Sequence, residues 1–288
     1  MSVNVTELVA ELNLQLPAAV AVADTASRAW LDVARLLTAW QRQAGCSIIG
    51  INGSQGSGKS TLAAVLSAQL NHAGVATTHV SIDDFYLSKA ARVELAETVH
   101  PLLRTRGVPG THDHARLRKV VEQIIAGAGQ TVVALALPQF DKGLDDVAGE
   151  RHVQAQVLIL EGWCVGAQAQ ADTALEQPLN RLEAESDQGG VWRRWVNQQL
   201  RAHYQPLWES VDLWVNLRVP SFEQVYAWRG QQEQSLPAEQ RMTELELRRF
   251  IDHYERLTRA TWAQPLRGPG LTVQLAPDHS ISAVSRVV

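Results

Sequence analysis

The sequence predicts a three-layer α/β/α fold with a mainly parallel sheet, a helical N-terminal extension and a helical insertion and lid. Short β-rich apolar runs alternate with stretches whose apolar residues recur every three or four positions, and such alternation favours parallel strands. The 288 residues, 45% of them hydrophobic, suffice for one large domain with elaborations. No stretch approaches the roughly 18 uninterrupted apolar residues that a membrane helix requires. We therefore expect no membrane partner.

Charge and cysteine content indicate which partners and which cellular compartment to expect. The 26 Lys and Arg residues against 30 Asp and Glu residues give a net charge of -4, so we expect no nucleic-acid partner and only local binding of anions. Two cysteines in a chain of this length favour a reducing compartment. Residues 17–23 end in an A-x-A pattern, but the first basic residue is Arg28, so a signal peptide is not expected. The expectation is a cytoplasmic monomer or homodimer with a small-molecule substrate.

The first half of the chain is predicted to contain an extension and then regular strand and helix alternation. Residues 1–44 have apolar positions at helical spacing and are expected to pack on the main domain, residues 45–288. The domain then begins with a strand, a Gly-rich loop and a helix. The predicted elements are CSIIGI (strand), TLAAVLSAQL (helix), VATTHVSI (strand), HARLRKVVEQIIAGA (helix), TVVALAL (strand) and QAQVLILEG (strand).

After Gly166 the regular alternation of predicted strands and helices is interrupted. A polar segment and a Trp-rich helical stretch at 191–208 indicate an insertion over the sheet at about 167–208. A lid is predicted at about 221–242, within the second half of the chain. The later elements are VDLWVNLRV (strand), SFEQVYAWRGQQEQ (helix), TELELRRFIDHYERLTRATW (helix) and LTVQL (short strand).

The strongest motif lies between the first predicted strand and helix. GSQGSGKS at 53–60 fits G-x4-G-K-[ST], in the context that a phosphate-binding loop requires. Glycines let backbone N–H groups converge on one concavity, and the following helix adds its positive N-terminus. Lys59 is expected at the β and γ phosphates of ATP, and Ser60 at Mg²⁺. The candidate nucleotide-binding residues are Gly53, Ser54, Gln55, Gly56, Ser57, Gly58, Lys59, Ser60 and Thr61.

Two further predicted strands end in carboxylates. Asp83 and Asp84 follow the second strand, where a parallel sheet opens its ligand crevice. A carboxylate beside the γ-phosphate can accept the proton of an attacking hydroxyl, although a solvated cap of the next turn is the alternative. Glu161 ends an apolar strand and is a candidate ligand of Mg²⁺, directly or through water. The predicted metal-binding residues are Ser60, Asp83 and Glu161.

These motifs resemble those of the P-loop kinase superfamily that contains phosphoribulokinase, uridine kinase and pantothenate kinase. Its members share a D-x-F motif after the second strand, here Asp83-Asp84-Phe85. The resemblance implies a P-loop NTPase fold and the role of catalytic base for Asp83. Asp84 occupies the variable position, so the division of labour between the two carboxylates stays open.

The chain is similar, over nearly its whole length after residue 45, to D-glycerate 3-kinases of the plant type and their bacterial and fungal relatives. The segments that carry the similarity are GINGSQGSGKST, IDDFYL, HPLLRTRGVPGTHD, LPQFDKGLDD, LEGWCVGA, WRGQQE and YERLTR. The similarity implies ATP-dependent transfer of a phosphoryl group to a hydroxyl of a small hydroxy acid, D-glycerate first. The alternatives are a nucleoside or pantothenate-like acceptor or, from another class, a P-loop switch or chaperone.

Residues for the acceptor are predicted around a turn-rich loop. The segment at 104–113 combines turn residues with two arginines and a His-Asp pair, which suits a small anionic hydroxy acid. The alternative is a structured loop in which His112 and Asp113 only cap the next helix. Lys142 is placed to contact a carboxylate or the transferring phosphoryl group, or else is a solvated surface lysine. The predicted substrate-binding residues are Asp84, Tyr86, Arg104, Arg106, His112 and Asp113.

Arg229 lies on the predicted lid helix. An arginine delivered by closure neutralises charge on the phosphates and helps to exclude water, and an ordinary surface arginine is the alternative. The predicted catalytic residues are Asp83, Lys59, Arg229 and Lys142. A GTPase switch is disfavoured because no N/T-K-x-D element is found, and the D-x-x-G match at 146–149 follows no predicted strand.

Overall fold

A six-stranded, mainly parallel sheet forms the centre of the molecule. The computed structural model describes residues 5–22, 24–234, 237, 241–264 and 266–287. Within these ranges the strands are β1 (Ile48–Gly53), β2 (Thr77–Ser81), β3 (Val133–Asp141), β4 (Asp146–Ala155), β5 (Val157–Gly162), β6 (Leu213–Arg218), β7 (Gly270–Leu275) and β8 (Ile281–Val287). The spatial order of the sheet is β2-β5-β1-β6-β7-β8, and all its pairs are parallel except β7 with β8. The predicted fold class is confirmed.

The helices alternate with the strands and also fill the insertion. They are α1 (Val5–Glu11), α2 (Thr25–Ala29), α3 (Leu31–Ala44), α4 (Lys59–His72), α5 (Lys89–Thr98), α6 (His114–Ala126), α7 (Arg181–Ser186), α8 (Val191–Gln199), α9 (Gln205–Trp208), α10 (Phe222–Gln234) and α11 (Glu244–Ala263). A π-helical turn, Leu200–Tyr204, joins α8 to α9. Across the part of the chain that the structure describes, no helix combines the length and apolar character that crossing a bilayer requires.

Two apolar clusters occupy the two faces of the sheet. Ile49 and Ile51 of β1 belong to one cluster, whereas Ile48 belongs to the other, because side chains alternate along a strand. Helices α3, α4 and α10 contribute to the first cluster, and α6, α8 and α9 contribute to the second. The sheet is therefore the middle layer of three.

The N-terminal helices are part of the first cluster. Leu8 and Leu37 are fully buried there with Leu66 of α4, and burial of each such leucine stabilises the fold by roughly 1.5–3 kcal/mol. The side chain of Gln69 on α4 also donates to the carbonyl of Ala18 at 2.7 Å. The predicted packing of this extension on the main domain is observed, and the boundary at 44/45 stays a prediction.

The segment TVVALAL corrects the predicted sheet. Its strand, β3, pairs antiparallel with β4 in a two-stranded hairpin outside the main sheet. Leu135 and Leu137 are buried in the second cluster, whereas Ala134 is exposed, so the apolar run covers a helix face rather than filling a central strand. The D-x-x-G match at 146–149 accordingly lies in β4. The sequence analysis predicted neither β4 nor β8 as a strand.

The Trp-rich insertion packs on the second cluster. Trp192, Tyr204 and Trp208 are buried there with Val108 and Tyr254. The predicted lid is helical as α10 over Phe222–Gln234, whereas positions 235, 236 and 238–240 of the predicted lid lie outside the described residues. The insertion thus packs on the second apolar cluster, next to the loop at 104–113.

Candidate active site

The phosphate loop runs from the carboxyl end of β1 to the first turn of α4. Gly56 and Gly58 have φ of +78° and +83°, in the left-handed region that favours glycine. A Cβ on Gly56 would lie 2.7 Å from the Cβ of Trp228, and one on Gly58 would lie 3.1 Å from the ring of Trp30. The loop is therefore held between the N-terminal extension and α10, and neither glycine can carry a side chain without a shift.

Strand order brings the predicted acids to the same edge of the sheet as the loop. Strand β5 lies between β1 and β2, with Glu161 in register with Ile51 and Ser81. The hydroxyl of Ser60 donates to Glu161 Oε1 at 2.7 Å. Glu161 is 3% exposed, and its Oε2 has no hydrogen-bond partner among the described residues. This orphaned oxygen next to Ser60 leaves a ligand position for a cation.

Asp83 is held as a carboxylate by its neighbours. Its Oδ1 accepts a hydrogen bond from the Tyr86 hydroxyl at 2.7 Å, and its Oδ2 accepts one from Lys142 Nζ at 2.7 Å. Burial by itself raises the pKa of Asp83, but attraction to Lys142, with contributions from Lys59 and Tyr86, outweighs burial and lowers this pKa to about 2. Asp83 is therefore ionised at neutral pH.

A cleft of about 970 Å³ opens beside the loop and Asp83. It lies between the phosphate loop, the turn that joins β3 to β4, and helices α10 and α11. The structure thus brings together side chains that are far apart in the sequence. The predicted site residues in its wall are Gln55, Gly56, Lys59, Ser60, Asp83, Tyr86, Arg106, Lys142 and Arg229.

Two predicted substrate-binding acids lie in helix caps instead. Asp84 accepts from the backbone N–H of Ser81 at 3.2 Å, in the short 3-10 helix after β2, and burial raises the pKa of Asp84. Asp113 accepts from the backbone N–H of Arg116 at 2.9 Å and caps α6. Such caps stabilise a helix start by about 0.5–2 kcal/mol. Neither side chain lines the cleft, so their contact with substrate stays a prediction.

His112 lies behind the cleft wall, underneath Tyr86. The two rings stack at a centroid distance of 4.7 Å, and His112 is 1% exposed. The Tyr204 hydroxyl accepts the Gly110 N–H and lies 2.8 Å from His112 Nδ1. Burial lowers the pKa of His112 to about 4, so the ring is neutral at pH 7. The His112 ring therefore packs against Tyr86 from behind and does not itself line the cleft. Arg104, another predicted substrate-binding residue, is exposed and also does not line the cleft.

Both arginines of the cleft wall are paired with acids. Arg106 lies 5.6 Å above the ring of Phe140 and forms an ion pair with Asp145. Arg229 pairs with Glu233 on the same helix at 2.7 Å. Each guanidinium that lines the cleft is thus held in place by a carboxylate.

Several cleft residues received no site role in the sequence analysis, although most of them lie in the segments that carry the family similarity. Tyr254 of α11 donates to the carbonyl of Arg106 at 3.3 Å and packs edge-on against Trp163 at 4.8 Å. The contact spans 148 residues, and the helical spacing of α11 does not distinguish a core tyrosine from a cleft tyrosine. The unanticipated lining residues are Gly143, Trp163, Gln232, Glu233, Met242, Phe250 and Tyr254.

Comparison with known proteins identifies the family. No protein-family model matches the chain. An uncharacterized kinase of Schizosaccharomyces pombe is 35% identical over 221 residues, which are 72% of this chain and 78% of that protein. This chain belongs to the P-loop kinases of the D-glycerate 3-kinase, phosphoribulokinase and uridine kinase type. The predicted superfamily is confirmed.

Two further proteins are similar to this P-loop kinase. The chloroplastic D-glycerate 3-kinase of Arabidopsis thaliana is 28% identical over 222 residues, 72% of this chain and 46% of the plant protein. The solved structure of a D-glycerate 3-kinase from Cryptococcus neoformans has a TM-score of 0.71 and 23% identity, covering 92% of this chain and all of that one (100%). The chain therefore shares the fold of the solved structure, and its kinase homologues support a phosphotransferase with a nucleotide-binding loop.

Proposed function

We propose that the kinase transfers the γ-phosphoryl group of ATP to a hydroxyl of a small hydroxy acid, with D-glycerate as the first candidate. The observation that carries the proposal is the position of the Asp83 carboxylate, which lines the same cleft as Lys59 and Ser60 of the phosphate loop and accepts a hydrogen bond from Lys142. A carboxylate there can accept the proton of an attacking alcohol. The chloroplastic relative, a D-glycerate 3-kinase, supports this class of acceptor.

The residues around the loop fit a nucleoside triphosphate and a magnesium ion. Four oxygens there are buried without a hydrogen-bond partner among the described residues: Ser54 Oγ, Gln55 Oε1, Ser57 Oγ and Glu161 Oε2. Lys59 and the N-terminus of α4 supply positive charge for phosphate. Ser60 and Glu161 would hold Mg²⁺, which commonly takes one or two protein ligands plus phosphate oxygens and water. Both oxygens of Asp83, the third predicted ligand, are bonded to Tyr86 and Lys142, so its contact with the metal stays a prediction. Bound Mg²⁺ would neutralise charge on the β and γ phosphates.

The protein contributes orientation and charge to the proposed transfer. Asp83 orients the acceptor hydroxyl and receives its proton, while Tyr86 and Lys142 fix the two carboxylate oxygens. Lys59 and Arg229 line the cleft, and in this proposal they balance the charge of the phosphates. Because the transition state of phosphoryl transfer is loose, positioning and electrostatic stabilisation supply most of the rate enhancement.

The walls of the cleft favour a small anion but also offer a second class of acceptor. Arg106 and Lys142 bring two positive charges to the Asp83 side, which suits a carboxylate. Trp163, Phe250 and Tyr254 line the same cleft, and aromatic faces suit the base of a nucleoside. These rings already pack on one another, with Phe250 and Tyr254 5.1 Å apart, so the acid is the first proposal and a nucleoside the second.

An ADP-production assay tests the acceptor. The full-length kinase is incubated with ATP and Mg²⁺ and with D-glycerate, L-glycerate, other small hydroxy acids, pantothenate or nucleosides in turn. We expect rapid ADP release with D-glycerate and very little without an acceptor, because closure protects ATP from water. Preference for a nucleoside would replace the acid by the second candidate. Equal ADP release with and without every acceptor would instead indicate a nucleotide hydrolase.

The pKa of Asp83 predicts how activity depends on pH. With a pKa of about 2, the carboxylate stays ionised throughout the usual assay range, so the acid limb of kcat/KM should lie far below neutrality. Lys142→Met removes the main attraction that opposes burial, so the pKa of Asp83 should rise and the acid limb should move to higher pH. The lowered pKa also contributes to stability above the ordinary Asp pKa, and this contribution is lost as pH falls through about 2. The contribution is small because Lys142 is 62% exposed and water screens the pair.

The measurement is the pH profile of kcat/KM for wild type, Lys142→Met and Lys119→Met. Lys119 is exposed on α6 and does not line the cleft, so its variant controls for loss of a lysine. An acid limb at the same pH in all three proteins would show that Lys142 does not set the ionisation of Asp83.

A further inference from the structure

Lys142 reaches Asp83 from an exposed turn. Its side chain is 62% exposed, yet its Nζ lies 2.7 Å from Asp83 Oδ2 across 59 residues of sequence. An exposed ion pair gains little because water competes for both partners and the lysine loses rotamer freedom. The pair therefore does not fix the turn between β3 and β4. Other contacts have to place the backbone from which Lys142 extends.

Asp145, three residues further along the turn, supplies those contacts. Its carbonyl accepts from Arg92 Nη2 at 2.7 Å, and its carboxylate lies 2.9 Å from the same nitrogen and also pairs with Arg106. Arg92 is only 1% exposed and donates to two further backbone carbonyls, so its side chain is held in one position. Arg106 Nη2 donates in turn to the carbonyl of Lys142 at 3.4 Å.

The turn behaves as one unit with this anchor. Asp141 Oδ1 accepts from the N–H groups of Gly143 and Leu144 at 2.7 and 3.0 Å, which closes the turn on itself. Asp145 has φ of +56°, a conformation that Asp and Asn adopt more readily than most residues. Because the turn is closed internally, a displacement at Asp145 would be transmitted to Lys142.

We propose that Asp145 is a positioning residue, which clamps the β3–β4 turn to Arg92 and Arg106 and thereby holds Lys142 at Asp83. Asp145 does not line the cleft and acts on the reaction through Lys142. The same carboxylate orients Arg106, so one acid sets two of the cationic groups of the cleft wall. The kinetic consequence rests on the proposed phosphoryl transfer, whereas the placement of Lys142 does not.

The kinetic test is a double-mutant cycle. Asp145→Asn keeps the shape of the side chain and removes its charge. Glu150→Gln is the matched control, because Glu150 lies in the same hairpin, on β4, and forms an ion pair with Arg116 of α6. We expect kcat to fall by up to about 100-fold in Asp145→Asn, the size of effect that a small misplacement produces, and to stay unchanged in Glu150→Gln. In a Lys142→Met background, Asp145→Asn should lower kcat by a clearly smaller factor, the part that acts through Arg106, since coupled positions are not additive. Equal losses in both backgrounds would overturn the proposal.

A second test needs neither ATP nor an acceptor. The chain has four lysines, Lys59, Lys89, Lys119 and Lys142, whose acetylation by trace acetic anhydride can be followed by mass spectrometry. Relative to exposed Lys119, Lys142 should react about two- to fivefold faster in Asp145→Asn than in wild type or Glu150→Gln, because its ion pair is released. Unchanged reactivity of Lys142 would overturn the proposal.

The two tests separate failure of the inference from failure of the proposed function. If wild type phosphorylates none of the acceptors, the proposed function is wrong and the acetylation rates alone decide the role of Asp145. Asp145→Asn leaves buried Arg92 without its carboxylate and is expected to lower the melting temperature. If that variant does not fold, Asp145→Glu, which keeps the charge but displaces the carboxylate, undergoes both tests with the same supporting and overturning results.

Discussion

Replacing Asp83 with asparagine is expected to lower turnover by about 10²- to 10⁴-fold, the contribution of a positioned general base, while ATP still binds. The amide has nearly the shape of the carboxylate but cannot accept the proton of the acceptor hydroxyl. Asp83 lies on the β2 side of the cleft and is not part of the phosphate loop, so the phosphate contacts should survive. Turnover is measured with the best acceptor, and nucleotide affinity is measured by calorimetry.

Asp84→Asn is the matched comparison for the neighbouring carboxylate. Asp84 accepts from the Ser81 N–H and does not line the cleft. Asparagine can accept the same bond and caps a helix start about as well as aspartate, so its replacement should leave the free energy of unfolding nearly unchanged and turnover within severalfold of wild type. Near-normal turnover in Asp83→Asn, with a large loss in Asp84→Asn, would transfer the role of base to Asp84.

Replacing Lys59 with alanine is expected to weaken both ATP affinity and turnover. Lys59 lines the cleft at the start of α4, where we expect its ammonium to bind phosphate in the ground state as well as in the transition state. A charge-assisted hydrogen bond contributes about 1.5–3 kcal/mol, so the dissociation constant for ATP should rise roughly 10- to 100-fold. Titration calorimetry with ATP and Mg²⁺ measures this directly.

Lys119→Ala provides the control for Lys59→Ala, because Lys119 is exposed on α6 outside the cleft wall. Its ATP affinity should equal that of wild type. An unchanged dissociation constant for ATP in Lys59→Ala would show that the loop lysine does not bind phosphate before the transition state.

The core of the site could be predicted from the sequence because its residues follow strands. A parallel sheet places the carboxyl ends of neighbouring strands at one edge, so residues after β1, β2 and β5 had to converge wherever those strands pair. The observed order β2-β5-β1 places the carboxylate of Glu161 next to Ser60 and close to the turn that carries Asp83. Local pattern and general topology were sufficient for these three residues.

The walls of the cleft could not be predicted in the same way. Lys142 meets Asp83 because β3 and β4 form a separate hairpin, and an apolar run such as TVVALAL has the same pattern whether it joins a sheet or covers a helix. Tyr254 and Trp163 meet across the fold through the packing of α11, which no local spacing encodes. His112 has the polarity of a ligand in the sequence, and only the stacking on Tyr86 places it in the supporting layer.

A crystal structure of the kinase with Mg²⁺ and a nonhydrolysable ATP analogue tests the central claim most directly. The account predicts the triphosphate in the loop at 53–60, the metal ion at Ser60 and Glu161, and the γ-phosphate on the side of the cleft that holds Asp83 and Lys142. A nucleotide bound elsewhere, or a γ-phosphate separated from the Asp83 carboxylate by more than the width of an acceptor hydroxyl group, would contradict it.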